Sequence, residues 1–192
     1  FIWVFVLILV TFVLYFGYME LFHGQSLFVP SDDPVTPKIQ IVNEDSTTRP
    51  YGVMINNLKV ARSLHSGLQD AYLVYEMIVE GGITRFYALF SDVDTTRIGP
   101  VRSARHYYLD YAMENDSYFV HWGFSELAKA DISKYGISNV NGLYKAKYFW
   151  KDNTLKVATE HRAFTSMELL KQAVSDMNYR EKRAQNFLLQ YS

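Results

Sequence analysis

Two runs of β-branched and aromatic residues meet at a pair of glycines, and this pattern constrains the fold more than any other stretch. The runs are Tyr72–Val79 and Ile83–Ser91, and Gly81-Gly82 lies between them. Glycine adopts the positive φ angles that a tight reversal between two strands requires. The pattern therefore predicts an antiparallel β-hairpin, so the folded part of the chain must contain a sheet.

Composition excludes several classes of protein. The 192 residues carry 19 Lys and Arg against 20 Asp and Glu, a formal net charge of -1. General nucleic-acid binders show a basic excess, so no nucleic-acid partner is expected. Cysteine is absent, which excludes disulfides, thiolate nucleophiles and lipid attachment through a cysteine. Aromatic residues make up 16% of the chain, which suits either a sheet-rich core or a surface that stacks on rings or sugars.

The run Phe1–Met19 contains no charged residue. Because about 20 apolar residues in a helix span the hydrocarbon core of a bilayer, this run predicts a transmembrane helix. A cleaved signal peptide is the alternative, but no small-residue cleavage site follows the run. The flank after it carries Glu20, Asp32 and Asp33 before its first cation, Lys38. Cytoplasmic flanks are usually basic, so we expect a single-pass protein of the cell membrane with its domain on the extracytoplasmic side.

Residues 20–49 are predicted to form an extracytoplasmic linker, because prolines and polar residues remove any regular apolar period. The folded domain is predicted to occupy residues 50–192. Beside the hairpin, its predicted elements are strands at Tyr51–Asn57 and Ser117–Trp122 and helices at Ser103–Glu114, Ser125–Lys134 and Met167–Met177. This irregular alternation predicts an α+β fold, a layered domain with helices packed on a mixed, partly antiparallel sheet.

Local signals mark the three predicted helices. The apolar face of the first is formed by Ala104, Tyr108, Tyr111 and Ala112. Ser125 is the predicted N-cap of the second helix, and Gly136 ends it. Thr165-Ser-Met-Glu168 is a capping-box pattern that predicts the start of the third.

No motif in the sequence indicates a metal or a nucleotide. The five histidines form no HExxH pattern and have no cysteine partner. Glu80-Gly-Gly-Ile and Ile98-Gly-Pro-Val match neither of the two glycine-rich phosphate-binding patterns. We therefore expect no metal site and no cofactor.

Three arginines fall close together in the sequence, and they suggest an anion-binding site. Arg102, Ser103 and Arg105 lie at the predicted start of a helix, where free backbone N–H groups favour negative charge. Arg85 comes from the adjacent strand, and guanidinium groups bind carboxylates and phosphates in a bidentate manner. His121, at the end of a predicted strand, completes the set of candidate ligand-binding residues. The alternative is that the arginines form internal ion pairs with acidic residues, namely Glu76, Glu80, Asp92 and Asp94.

Glu76 and Glu80 are the candidate catalytic carboxylates. They are four residues apart in a strand-like run, so in an unbroken strand both face the same side. Together with Glu160 or Asp110 they could supply the carboxylate pair of a glycoside hydrolase, and His121 is a further catalytic candidate. The alternative is that the glutamates neutralise the arginines. A single histidine between aromatic residues is also often structural.

Several motifs resemble the N-terminal domain of the YerB-like lipoprotein family of bacteria. They are Tyr51-Gly-Val-Met-Ile-Asn-Asn57, Ser66-Gly-Leu68, Val74-Tyr-Glu76, Val79-Glu-Gly-Gly-Ile-Thr-Arg-Phe86 and Ile98-Gly-Pro-Val-Arg-Ser-Ala-Arg105. His121-Trp-Gly123 and residues 161–166 match more loosely. The resemblance covers about residues 49–179. It implies an extracytoplasmic, membrane-attached protein with a layered α/β fold and a second domain downstream, which we expect to lie beyond this sequence.

The sequence also departs from that family pattern. The lipid-bearing cysteine of the family is missing, and the predicted transmembrane helix takes its place. Asn56 stands where an aspartate is expected, Phe124 stands where a glycine is usual, and Arg162-Ala163 replace a more polar pair. An asparagine cannot act as a general base, so an enzymatic role for this position is not expected.

Three hypotheses follow from the sequence. The first is a non-catalytic binding module of the cell envelope that recognises an anionic ligand or a partner protein through Arg85, Arg102, Arg105 and neighbouring aromatic residues. The second is an envelope hydrolase that uses Glu76 or Glu80 with His121. The third is a structural scaffold whose arginines only close internal ion pairs.

Overall fold

The structure is a computed structural model that describes residues 2–23, 43 and 46–184. The chain divides into two compact units, residues 1–39 and 40–192. In the first unit, α1 (Ile2–His23) is a helix of 22 residues. Within the part of the chain that the structure describes, no helix combines the length and the apolarity needed to cross a membrane. The transmembrane span predicted for residues 1–19 is therefore not supported, although residues 2–19 belong to α1.

The second unit is built on a five-stranded mixed sheet in the order β2-β3-β1-β4-β5. Its strands are β1 (Tyr51–Asn56), β2 (Leu73–Ile78), β3 (Thr84–Phe90), β4 (Tyr118–His121) and β5 (Asn139–Asn141). β3 runs antiparallel to both of its neighbours, whereas β1, β4 and β5 run parallel to one another. A second, two-stranded sheet pairs β6 (Trp150–Lys151) with β7 (Ala163–Phe164). The predicted mixed, partly antiparallel sheet and α+β class are confirmed.

The hairpin predicted at the glycine pair is present. β2 and β3 pair from Leu73 opposite Leu89 to Ile78 opposite Thr84. Gly81 and Gly82, between the strands, have φ angles of 71° and 69°. These left-handed conformations favour glycine. The turn therefore requires glycine at both positions, and the glycine pair in the sequence reflects that requirement.

Each face of the large sheet carries a hydrophobic core. On one face, Val53, Ile55 and Phe90 pack with buried residues of α5 (Met167–Asp176). On the other face, residues of the same strands pack against α3 (Leu109–Glu114) and α4 (Glu126–Lys134), and the main buried side chains there are Met54, Tyr87, Leu89, Phe119, Leu109, Ala112 and Ala128. Alternate side chains of a strand point to opposite faces, so one sheet can support both cores. A four-residue helix, α2 (Lys59–Arg62), follows β1.

Residues 98–104 form an extended segment between the ends of β1 and β4. Direct pairing of β1 with β4 covers only residues 51–53 and 118–120. Beyond that point the Arg102 N–H donates to the Met54 carbonyl, and the Trp122 N–H donates to the Arg102 carbonyl, at 2.8 and 2.9 Å. The Ala104 N–H donates to the Gly123 carbonyl at 2.9 Å. We call residues 98–104 the inserted segment, because it connects two strands that no longer contact each other directly.

The inserted segment corrects the helix predicted to begin at Ser103. Helical structure begins at His106, first as a 3₁₀ turn, and α3 starts at Leu109. Arg102 and Ala104 use their N–H groups in bonds to the flanking strands. No free helix N-terminus therefore exists at these residues, and that part of the anion-binding argument was wrong.

The other two predicted helices are present, and their N-caps are serines. Ser125 Oγ accepts a hydrogen bond from the Ala128 N–H at 3.2 Å, as predicted for α4. For α5 the cap is Ser166, whose Oγ accepts from the Leu169 N–H at 3.3 Å. The capping-box pattern therefore placed the cap one residue too early.

The predicted linker, residues 20–49, lies mostly outside the described residues. Residues 20–23 belong to α1. At the other end, Thr48 forms a β-bridge with Lys182, and the Arg49 N–H donates to the Glu181 carbonyl at 2.9 Å. The chain is therefore joined to the second unit before Pro50, and the predicted domain boundary at residue 50 stays a prediction.

Candidate functional site

A cleft of about 650 Å³ opens beside the inserted segment. Its lining comes from the inserted segment, from the residues that follow β4 and β5, and from residues close to β6 and β7; the polar and aromatic members are Arg102, Ser103, Trp122, Phe124, Glu126, Lys151, Thr159 and Glu160. β4 and β5 are parallel, and their carboxyl ends lie at the same edge of the sheet. Ligands of open sheets commonly bind at this edge, so we name this cavity the Arg102 cleft.

Arg102 is a partly buried cation in this cleft. Its guanidinium donates to the Glu160 carbonyl at 2.9 Å, but its buried Nε has no hydrogen-bond acceptor within residues 46–184. Over the same residues Arg102 takes part in no ion pair. Burial lowers the pKa of Arg102, and the nearby Glu160 carboxylate only partly opposes this effect. Its positive charge is thus partly desolvated and incompletely paired, a condition that an anion would relieve.

Trp122 and Phe124 form one wall of the cleft and are both half-buried. Gly123, between them, has a φ angle of 82°, and its N–H donates to Asn141 Oδ1 at 3.0 Å. The Lys151 ammonium lies 5.1 Å from the centroid of the Trp122 ring. Two aromatic rings and two cations therefore share this cavity.

Arg85 and Arg105 lie near Arg102, but they are already paired. Glu80 accepts a bidentate pair of hydrogen bonds from Arg105, and its Oε2 lies 3.9 Å from an Arg85 nitrogen. Arg85 is 4% exposed and donates to the Ser103 carbonyl at 2.6 Å. Burial, together with Arg105 and Arg102, lowers the pKa of Arg85 to about 10, so this side chain remains cationic at neutral pH. The three predicted arginines therefore lie close together, but two of them, Arg85 and Arg105, already pair with Glu80.

The candidate catalytic carboxylates do not meet His121. The hydrogen bonds from Arg105 lower the pKa of Glu80 to about 2, so this group holds no proton to donate at neutral pH. Glu76 accepts hydrogen bonds from Asn57 and Thr84 at 2.8 and 2.6 Å. These partners are neutral, so Glu76 does not have the arginine partner predicted for it.

His121 lies behind the cleft wall. It is 0% exposed, its Nδ1 donates to the Gly123 carbonyl at 2.7 Å, and its Nε2 lies 3.2 Å from Asn139 Oδ1. Burial lowers the pKa of His121, although both of these contacts oppose the shift. The ring therefore holds the turn at Gly123 in place and does not face the cleft.

A second buried histidine forms a polar pair with Asn56. The Asn56 side chain accepts from the Leu58 N–H at 3.0 Å, which orients its amide so that Nδ2 donates to His161 Nδ1 at 2.6 Å. Burial and the adjacent Arg102 lower the pKa of His161, and Glu160, 4.0 Å from its Nε2, opposes this. The pair is thus coupled electrostatically to the Arg102 cleft, because Arg102 lines that cleft and acts on His161.

The sequence singled out Arg102 and Ser103 of this cleft as ligand-binding residues, and it named Phe124 only as a departure from the family pattern. Trp122, Phe124 and Lys151 come from separate parts of the chain, and only the fold brings them together. The first hypothesis included aromatic residues near the arginines but did not say which ones; Trp122 ends a predicted strand and Phe124 follows two residues later.

The fold and the cleft define an α+β domain with a cation-bearing cavity at the carboxyl ends of two parallel strands. Residues 35–180 match the family described as "Protein of unknown function (DUF3048) N-terminal domain", and the chain belongs to this family. It is 38% identical over 142 residues to "Putative lipoprotein YerB" of Bacillus subtilis (strain 168), covering 73% of this chain and 42% of that protein. The resemblance predicted from the motifs is confirmed.

A solved structure supports the same relationship. The crystal structure of the YerB protein from Bacillus subtilis matches with a TM-score of 0.65 and 37% sequence identity. This match covers 71% of the present chain and 46% of the other. The chain therefore spans less than half the length of the relatives that it matches.

Proposed function

We propose that this chain is an extracytoplasmic binding module of the bacterial cell envelope that recognises an anionic ligand in the Arg102 cleft. The observation that carries the proposal is the state of Arg102. Its guanidinium lines an open cavity, takes part in no ion pair within residues 46–184 and keeps a buried N–H without an acceptor. A carboxylate or phosphate bound at the cleft side of the guanidinium would supply the missing countercharge.

The neighbouring cations support the same proposal. Lys151 lines the same cleft, and Arg85 and Arg105 share the single Glu80 carboxylate beside it. Two guanidinium groups on one carboxylate leave a positive excess, which raises the local concentration of anions. Ser103 adds a hydroxyl at the cleft surface.

The proposed location rests on the relative and on the first unit. The matched Bacillus subtilis protein is named as a lipoprotein, and lipoproteins are held at a membrane by a lipid on cysteine. Cysteine is absent from this sequence, so we propose that the apolar helix α1 attaches the domain instead. Its apolar side chains, such as Phe12 and Leu14, are 62% and 67% exposed. Membrane fractionation of cells that express either the full chain or residues 40–192 tests this; recovery of the full chain in the soluble fraction would refute it.

Thermal unfolding of the full chain in detergent, with and without added phosphate or lactate, tests the anion site. A ligand at 100 times its Kd stabilises the folded state by about 2.7 kcal/mol. For a chain of this size that corresponds to a rise in Tm of roughly 5–10 °C. We expect Arg102→Gln to abolish the rise. Arg62→Gln, at an exposed arginine of α2 outside the cleft, is the matched control and should keep it.

The two other hypotheses make different predictions for this experiment. If the arginines are only structural, no anion raises the Tm and Arg102→Gln simply lowers it. A hydrolase that uses Glu80 and His121 is not favoured, because Glu80 is held by Arg105 and His121 is fully buried.

A further inference from the structure

The aromatic wall of the Arg102 cleft is built as a rigid surface. Both backbone groups of Gly123 are held, the N–H by Asn141 Oδ1 and the carbonyl by His121 Nδ1. These two bonds hold the backbone that carries Trp122 and Phe124 at the mouth of the cleft. A rigid aromatic side chain offers a large contact area at a low cost in conformational entropy.

The position of the Trp122 ring depends on Gly142. A Cβ atom at residue 142 would lie 2.2 Å from Trp122 Cε3, so only glycine lets the indole occupy this place. Phe149 supports the ring from the side, edge-on at 83° with centroids 5.5 Å apart. On the other flank, the Phe124 ring lies 6.0 Å from that of Tyr144, which is 66% exposed. The aromatic surface thus continues out of the cleft.

The remaining polar residues of the cleft offer both hydrogen-bond acceptors and hydrogen-bond donors. Glu126 and Glu160 offer carboxylate oxygens, and Ser103 and Thr159 offer hydroxyls. Carboxylates accept hydrogen bonds from hydroxyl and amide groups but repel simple anions. A small inorganic anion would use the cations and hydroxyls of the cleft but gain nothing from these carboxylates or from the aromatic wall.

We propose that the ligand is a sugar ring that bears an anionic substituent. This inference rests on the proposed anion site and names its ligand class. The C–H face of a pyranose ring is apolar and stacks on Trp122 or Phe124, because an aromatic face carries the complementary negative potential. Hydroxyl and amide groups of the sugar donate to Glu126 and Glu160. The carboxylate or phosphate substituent binds Arg102, which lacks such a partner within the described residues.

Isothermal calorimetry on the full chain in detergent micelles tests the inference with five probes. N-acetylmuramic acid and N-acetylglucosamine 6-phosphate carry the ring together with a carboxylate or a phosphate. N-acetylglucosamine carries the ring alone, and D-lactate and inorganic phosphate carry the anion alone. We expect one charged sugar to bind at least about tenfold more tightly than N-acetylglucosamine, since one charge-assisted hydrogen bond supplies such a factor. It should also bind more tightly than either free anion, by about tenfold, because the ring adds the contact with the aromatic wall. Which charged sugar binds more tightly distinguishes a carboxylated from a phosphorylated source.

Two variants with matched controls assign the binding to the two halves of the cleft. Phe124→Leu keeps an apolar side chain but removes the aromatic face, and Arg102→Gln removes the charge. Each should weaken binding of the charged sugar about tenfold or more. Arg62→Gln and Tyr135→Leu, at exposed positions outside the cleft, should leave it unchanged.

The outcomes separate the two proposals. Equal affinity for free anions and charged sugars, unchanged in Phe124→Leu, would overturn the sugar inference and leave the anion site standing. Equal affinity for N-acetylglucosamine and the charged sugars would overturn it as well. Failure of every probe to bind in an Arg102-dependent way would overturn both proposals.

Discussion

Replacing Glu80 by glutamine tests how the arginine neighbourhood is held together. Glu80 is the carboxylate shared by Arg105 and the buried Arg85. Its pKa falls from an ordinary 4.5 to about 2. A shift of that size corresponds to a ceiling of about 3.4 kcal/mol, at about 1.36 kcal/mol for each pKa unit. The side chain is 64% exposed, so solvent screening reduces this ceiling, and we expect Glu80→Gln to lower the free energy of unfolding by about 1 kcal/mol at pH 7.

The pH dependence of this difference is the sharper part of the prediction. The pKa of Glu80 is lower in the folded state, so the stabilisation is fully present above about pH 4.5 and is lost as pH falls toward 2. With these two pKa values, more than half of the difference between wild type and Glu80→Gln is lost by pH 3. Urea unfolding followed by far-UV circular dichroism at pH 7, 5 and 3 measures it.

Glu76→Gln is the matched control for this experiment. Glu76 lies on β2, just before the turn that carries Glu80, and its side chain contacts the neutral Asn57 and Thr84. Its substitution should change stability by no more than about 0.5 kcal/mol. A Glu80→Gln difference that stays constant from pH 7 to pH 3, or that is no larger than that of Glu76→Gln, would show that the arginines do not depend on Glu80.

Three further predictions address the cleft and the fold. Gly142→Ala should destabilise the protein by about 1–3 kcal/mol and weaken ligand binding, because the new Cβ displaces Trp122; urea unfolding that matches wild type would contradict this. Asn56→Asp should raise the pKa of His161 by about one unit or more, because a carboxylate replaces the amide donor at Nδ1; an NMR titration of the ring that shows no increase would refute the assigned hydrogen bond. Ser166→Ala should cost about 1 kcal/mol of unfolding free energy through loss of the α5 cap, and a change below about 0.3 kcal/mol would argue against that cap.

Local sequence signals predicted an element correctly where its hydrogen bonds join residues that are close together in the chain. The hairpin at Gly81-Gly82 and the cap at Ser125 depend on residues within a few positions of each other, and both were predictable. The helix predicted from Ser103 failed for a different reason. Its apolar face was correct, since Ala104 and Tyr108 are both fully buried in one core. Ala104 reaches that core from an extended backbone, because its hydrogen-bond partners lie at Gly123 and Ser125, far along the chain.

Of the candidate site, only the part that carries Arg102 and Ser103 was predicted as ligand-binding from the sequence. Guanidinium groups are rare in cores, so Arg102 attracted attention in the sequence alone. Trp122, Phe124 and Lys151 were not predicted as site residues, because aromatic residues and lysines are common in this chain and their convergence on one cleft depends on the sheet order. The inserted segment explains the difference. It carries Arg102 between two strands, and no local pattern shows which strands those are.

The inserted segment also determines how relatives of this protein can diverge. This segment forms the floor of the Arg102 cleft. Its backbone groups are hydrogen-bonded on both sides, so the floor cannot change shape without separating β1 from β4. New ligand preferences must therefore arise from side chains on the wall. Phe124 occupies a wall position where the resemblance to the YerB-like family predicts glycine, and that exchange would remove a whole ring without disturbing the floor. If the proposed anion site is present, relatives with glycine there should share the anion contact but present a smaller stacking surface. One scaffold would then serve ligands that differ in the group attached to the same charge.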